Sequence, residues 1–313
     1  QAAAKDLIDI VVWGDQSKYT SKVALVPFAP AVNVGTYFTK ITGLSDREDN
    51  DTSSSKNIHY PTTCFSGGKL KSSCTSSTGQ KTYNKVQYIA KYAPCVIERE
   101  GAGALVLGQF TDTAPSLLSY LPAWNVARVK DNDSSDQMLS TCTPGNAIVP
   151  LTSDRDKLKT TIDGFKASGT TAGQVGTAFA WYMLSPNWKG VWPAESAPTL
   201  YGTPKVKKIA ILMTDGEYNT LKGIQYNDGS AEATTALNNA KTLCTNMKKS
   251  LLPTDPNIEI YTVGFKLTTS ASKAMLKNCA TNPDHYYETS SGEGLKSAFR
   301  DIALKISRLR LTN

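Results

Sequence analysis

The residue best placed for chemistry is Asp215. It follows the apolar run Ile209-Ala210-Ile211-Leu212-Met213, with Thr214 before it and Gly216 after it. That pattern puts a carboxylate at the tip of a buried strand, where a tight turn begins. A carboxylate there can hold a hard cation or orient a water. Thr170 and Thr171 sit in a second glycine-bounded turn, Ser168-Gly169-Thr170-Thr171-Ala172-Gly173. Their hydroxyls can complete an oxygen-rich site for Mg²⁺ or Ca²⁺, both of which prefer hard oxygen ligands. The same residues also admit a purely structural reading, in which Asp215 closes a turn and a threonine caps the following helix.

Other chemistries have less support. His285 stands beside Asp284, but no serine occupies a Gly-x-Ser-x-Gly setting, which argues against a hydrolase. Gly67-Gly68-Lys69-Leu70 lacks the upstream glycine and the hydroxyl of a phosphate-binding loop. Asp131-Asn132-Asp133-Ser134-Ser135-Asp136 opens like a calcium loop, yet neither the glycine nor the distal glutamate follows, so it reads as a solvated loop. Asp46, Glu48, Asp49 and Asp51 read as an exposed acidic run. Trp181, Trp188 and Trp192, with Tyr182 and Tyr201, form an aromatic group that is either core or, where exposed, a recognition surface.

Six cysteines, Cys64, Cys74, Cys95, Cys142, Cys244 and Cys279, include no CxxC, and only two histidines accompany them. A zinc cluster is therefore disfavoured, and an even count among Ser- and Thr-rich loops favours disulfides and an oxidising compartment. Six cysteines allow about 15 pairings. Sequence proximity suggests Cys64–Cys74, Cys95–Cys142 and Cys244–Cys279. The net charge of +7 is spread along 313 residues, which suits anionic partners such as a cell envelope. No basic helix or aromatic nucleic-acid motif is present, so nucleic acid is not an expected ligand. No apolar run reaches the length of a membrane span.

These residues need elements to position them. Ala2 to Val12 reads as an amphipathic helix already under way at Gln1, so an upstream segment is expected. Lys22 to Phe28 reads as a strand buried on both faces, ending or bulging at Pro27. From Ile41 to Gly145 periodic patterning is scarce, and this stretch reads as a long, disulfide-held insertion carrying partner specificity. Regular patterning returns at Ala147 to Thr152. A helix follows, capped by Thr152 or Ser153, with Leu158, Ile162 and Phe165 on one face. A helix over 175–184, a strand over 206–213, a helix over 231–249, a strand over 258–265, a helix over 270–278, a strand at 286–288 and a helix over 293–309 complete the pattern. Strands alternating with helices predict a doubly wound α/β domain with a mostly parallel sheet, whose ligands sit at the carboxyl ends of the strands.

The run Ile209 to Gly216, with Thr171 upstream, resembles the von Willebrand factor A domain. More specific phrases are similar to TadG-like proteins of tight-adherence (Flp) pilus assembly. They are Val26-Pro27-Phe28 with Val32-Asn33-Val34-Gly35, Ile148 to Asp154, Trp181 to Pro186, Met213 to Asn219, and Phe299-Arg300-Asp301-Ile302-Ala303. The resemblance implies one α/β domain over 1–313, N-terminally incomplete, with 41–145 inserted. It implies a secreted, non-enzymatic module at the surface or in the periplasm of a bacterium, with a protein partner from the pilus or envelope. Its metal would be held by an Asp-x-Ser-x-Ser loop, a threonine and an aspartate. Thr171 (or Thr170) and Asp215 match the last two. No Asp-x-Ser-x-Ser follows a strand here, which leaves that site incomplete. Partner recognition is expected around the same crevice, at Glu217, Tyr218, Trp188 and Trp192. The alternative is a metal-independent pilus subunit completed by a neighbour's strand.

Overall fold

The computed structural model describes residues 1–43, 82–83, 86–87, 89–99, 109–116, 120–121, 123–128, 146–167, 169–249 and 257–311. Helix α1 (Ala2–Val11) buries Ala3, Leu7, Ile8 and Val11, one stripe at helical spacing. Burying an aliphatic side chain of this size contributes about 1.5–3 kcal/mol. Its opposite face carries Asp9, which takes Lys159 at 2.6 Å and also Arg155. The Lys159 hydrogen bond, helped by Arg155, holds the Asp9 carboxyl below the usual range.

Short elements follow: β1 (Val23–Leu25), β2 (Val32–Asn33), α2 (Phe38–Thr42), β3 (Thr82–Tyr83), β4 (Val86–Gln87), β5 (Ile89–Val96) and β6 (Ala123–Arg128). Strands β2, β5 and β6 form an antiparallel sheet of their own. The described strands of the 41–145 stretch therefore lie outside the parallel sheet. Strand β7 (Val149–Thr152) pairs antiparallel with β1. This corrects one expectation: β1 is half-buried, not enclosed on both faces, because it belongs to a two-stranded antiparallel pair.

From here the chain alternates. Helix α3 (Arg155–Gly164) is capped by Asp154, whose carboxylate accepts from the Lys157 amide. The cap thus falls later than Thr152 or Ser153, and Thr152 instead accepts from the Asp154 amide. Helix α4 (Gly173–Leu184) leads to β8 (Ile209–Thr214), the hairpin β9 (Thr220–Leu221) and β10 (Ile224–Gln225), and α5 (Ala231–Lys248), capped by Ser230. Strand β11 (Glu259–Phe265), helix α6 (Ser270–Cys279), strand β12 (Tyr286–Thr289) and helix α7 (Gly292–Leu311) finish the chain.

Strands β8, β11 and β12 form a parallel sheet in the order β12-β11-β8. Thr214 lies opposite Gly264 and Phe265 opposite Thr289, so all three strands end at one edge. Both faces are covered, as a parallel sheet requires. Ala210 and Leu212 of β8 join the core under α4, α5 and α6. Ile209, Ile211 and Met213 pack towards α1, α3 and α7. Val23, Leu25 and Val149 enter that second core too, so the β1–β7 pair and the parallel sheet share one helical cover. Among the described residues β8 pairs with β11 alone, leaving its other edge open. No described helix is long and apolar enough to cross a membrane.

Of the cysteines, Cys244 and Cys279 are bonded, with Cα atoms 5.0 Å apart, joining α5 to α6. Cys95 is also disulfide-bonded. Cys64, Cys74 and Cys142 lie outside the described residues, as do the acidic run at 46–51 and the loop 131–136.

Candidate functional site

Strand β8 delivers Asp215 to the carboxyl edge of the sheet, where it is exposed. The turn that presents it is made by Thr214. Its buried hydroxyl accepts from the Gly216 amide at 3.2 Å and donates to the Gly216 carbonyl at 3.1 Å. Thr171 meets this turn from the α4 side. A side chain on Gly216 would come within 2.8 Å of Thr171 Oγ1, so only glycine lets the two segments close up. The threonine turn is fixed from both sides. The Ala172 amide donates to the Ala29 carbonyl (2.7 Å), and the Thr220 amide donates to the Thr171 carbonyl (3.3 Å). Thr170 and Thr171 are both half-buried.

This arrangement seats Thr171 against Gly216, the residue that follows Asp215, at the carboxyl edge of the sheet. Among the described residues no three Asp, Glu, His or Cys side chains converge as a metal cluster. The donors on offer are one carboxylate and one or two hydroxyls, all hard oxygens. They suit a Mg²⁺ that keeps most of its waters and is held through one or two protein oxygens. They are too few for an all-protein cage.

The expected recognition residues fall elsewhere. Tyr218 is 2% exposed, and its ring lies flat on Gly173, where a Cβ would come within 2.0 Å of it. Burial holds its phenol far above the usual range. Trp188 and Trp192 are 0% and 3% exposed. Trp188 stacks on Tyr182 at 4.0 Å and on Trp192 at 5.6 Å, while Phe179 meets it edge-on. These three residues are core, a correction to their reading as partner contacts. Large aromatics gain most by filling the space where α4 turns over onto the next loop. Glu217 is also committed. Its carboxylate accepts from the Thr269 amide (3.2 Å), the hydroxyls of Thr268 (3.3 Å) and Thr269 (2.5 Å), and Ser272 Oγ. A carboxylate at the start of α6 satisfies free amides and faces the positive end of the helix dipole. Glu217 ties the Asp215 turn to α6 and has no oxygen to spare for a partner.

Sequence reasoning missed Glu98, just after β5. Both of its oxygens accept from the Lys222 amide at 3.0 Å, and Gln174 Nε2 donates to it at 2.5 Å. The only signal was a charged pair, Glu98-Arg99, directly behind the apolar Val96-Ile97.

A von Willebrand factor type A domain is found over residues 146–301 by its family model. Solved structures that resemble the chain include proximal thread matrix protein 1 from the mussel byssus. That match has 19% identity over 50% of this chain and 32% of that one, with a TM-score of 0.29. The same protein with a zinc-occupied MIDAS motif matches at 19% identity over the same shares, with a TM-score of 0.30. The pilus adhesin SpaC from Lactobacillus rhamnosus GG matches at 17% identity over 52% of this chain and 23% of its own, with a TM-score of 0.35. The alignments thus span a third or less of those proteins. No curated protein matches the chain.

Proposed function

We propose, taking the von Willebrand factor type A domain at 146–301 as the premise, that this chain is a non-enzymatic, extracytoplasmic binding and assembly module of a bacterial tight-adherence pilus system. It takes protein partners at the strand-end crevice. Asp215, Thr171 and Thr170 hold Mg²⁺ or Ca²⁺, and the cation's remaining positions bridge to an acidic group of the partner. The observation that carries this reading is the close approach of Thr171 Oγ1 to Gly216, 2.8 Å from where a Cβ there would stand, which sets the threonine turn against the strand that presents Asp215. The Cys244–Cys279 disulfide supports an oxidising compartment.

Calorimetric titration with Mn²⁺, which shares the hard-oxygen preference of Mg²⁺, tests the cation. Asp215→Ala removes the only carboxylate of the set and is expected to weaken binding at least tenfold, about 1.4 kcal/mol or more. Thr171→Val, which keeps shape and loses the hydroxyl, should weaken it by a smaller factor. Identical isotherms for wild type and Asp215→Ala would discard the cation-bridged version.

A second reading, a metal-independent structural subunit, is favoured by the edge of β8 that pairs with no strand among the described residues. An unpaired edge between apolar faces is a template for an added strand. In that case the purified chain associates as concentration rises, and amides of Ile209–Thr214 exchange more slowly in the associated form. Sedimentation and hydrogen exchange at two concentrations decide it. A monomer at both, with β8 exchange unchanged, removes the idea.

A further inference from the structure

The strand-end turn is joined to the 41–145 stretch by the half-buried carboxylate of Glu98. We propose that Glu98 is a positioning residue for the crevice: it locks the β9–β10 hairpin against the start of α4 and so sets the approach of Thr171 to Asp215. The inference rests on the reading of that crevice as a cation and partner site.

The links run residue by residue. Leu221 pairs with Ile224, so Lys222 and Gly223 are the two central residues of the hairpin turn. Both have positive φ, 53° and 76°, which is the geometry of a type I′ turn. Glycine adopts it freely, whereas a lysine there is strained and persists only where its surroundings fix it. Glu98 supplies that fixing by taking the Lys222 amide with both oxygens. The same carboxylate holds Gln174, in the first turn of α4, and Gln174 Nε2 donates onward to the Thr220 carbonyl at 2.6 Å. Thr220 is fully buried, and its amide holds the Thr171 carbonyl. Glu98, Lys222 and Gln174, Thr220 and Thr171 thus form one unbroken path.

Two further observations fit. Gln174 is 1% exposed and, among the described residues, its Oε1 has no hydrogen-bond partner, so the two bonds of its amide nitrogen are the polar contacts that orient it. Burial pushes the Glu98 carboxyl above the usual carboxylate range, against the Lys222 and Gln174 donors, which favour its charged form. Arg99, the next residue, secures the same segment at the far end of α4. It donates to the Thr113 carbonyl and lies 5.4 Å over the Tyr182 ring. Residues 98–99, midway along the 41–145 stretch, are therefore fastened along α4, with Glu98 at the end nearer Thr171.

The test uses the full chain in three forms, wild type, Glu98→Ala and Glu98→Gln, each read by hydrogen exchange and by Mn²⁺ titration below the melting temperature. Glu98→Ala should speed exchange of the Lys222 amide at least tenfold and weaken Mn²⁺ about tenfold. Glu98→Gln retains an acceptor and should recover most of both. Adding Lys222→Asn to Glu98→Ala, which suits the turn without help, should restore Mn²⁺ affinity while Glu98 stays absent. A Lys222 amide equally protected in Glu98→Ala overturns the clamp. A loosened amide with unchanged Mn²⁺ affinity makes Glu98 an anchor only, and overturns the proposal. If the wild type takes up no Mn²⁺ while its Lys222 amide is protected, the cation reading itself has failed and the positioning role falls with it.

Discussion

Trp188→Ala is expected to be among the most destabilising single changes in this chain, at about 3–5 kcal/mol, with a melting temperature roughly 10 °C lower. Trp188 is fully buried among Tyr182, Trp192 and Phe179, and the Arg99 guanidinium lies 5.6 Å over its ring. Truncation opens a large hole under rigid rings that cannot collapse into it. Trp188→Phe should be far milder. It keeps a stacking ring, and it removes an indole N–H that is buried without an acceptor among the described residues, a group whose burial alone costs about 1–3 kcal/mol. Thermal melts by circular dichroism of both variants provide the check. A Trp188→Ala protein that melts like the wild type but loses partner capture would return this residue to the surface.

The aromatic group shows why the site was only partly legible in the sequence. Trp188 and Trp192 stand in a Pro- and Gly-rich stretch, and composition of that kind reads as exposed loop. Their burial depends on α4, whose buried side chains cover most of its length, and no periodicity within 186–192 encodes that cover. Asp215 was legible for the opposite reason. An apolar run ended by Thr-Asp-Gly is a local signal, and the strand needs only β11 beside it to put the carboxylate at the sheet edge. The alternation of β8, α5, β11, α6, β12 and α7 was likewise readable from local patterning, with ends shifted by a few residues. The antiparallel β1–β7 pair was not, because its strands are separated by more than a hundred residues and each is too short to show a period. Glu98 was invisible for a related reason. What gives it meaning is an amide in a strained turn far along the chain, and backbone donors leave no mark on sequence.

The second large effect concerns the Cys244–Cys279 bridge. Replacing both cysteines by alanine should destabilise the protein by about 4 kcal/mol, the loop-closure value for a cross-link of this span, applied to a sequence separation of 35. Both cysteines are fully buried, so mild reductant should leave the native protein oxidised, because exchange needs access to a sulfur. Reduction should follow only once the chain unfolds, and because Cys95 is also disulfide-bonded the reduced chain loses that bond too, so it should refold with no more stability than the double-alanine variant. Denaturant midpoints of wild type, reduced wild type and variant give the comparison, and a variant within about 1 kcal/mol of the wild type would reject the loop-closure account. The bridge holds Cys279, the last residue of α6, whereas Glu217 holds Thr269, Ser272 and the first turn of the same helix. Helix α6 is thus pinned at one end to α5 and at the other to the turn that presents Asp215. Releasing the bridge leaves Glu217 as the tether at the crevice end, so hydrogen exchange in the variant should quicken most near Cys279 and least at Ser272. Uniform loosening along α6 would mean that Glu217 carries no restraint of its own, and that the Asp215 turn owes its position to Thr214 and Thr171 alone.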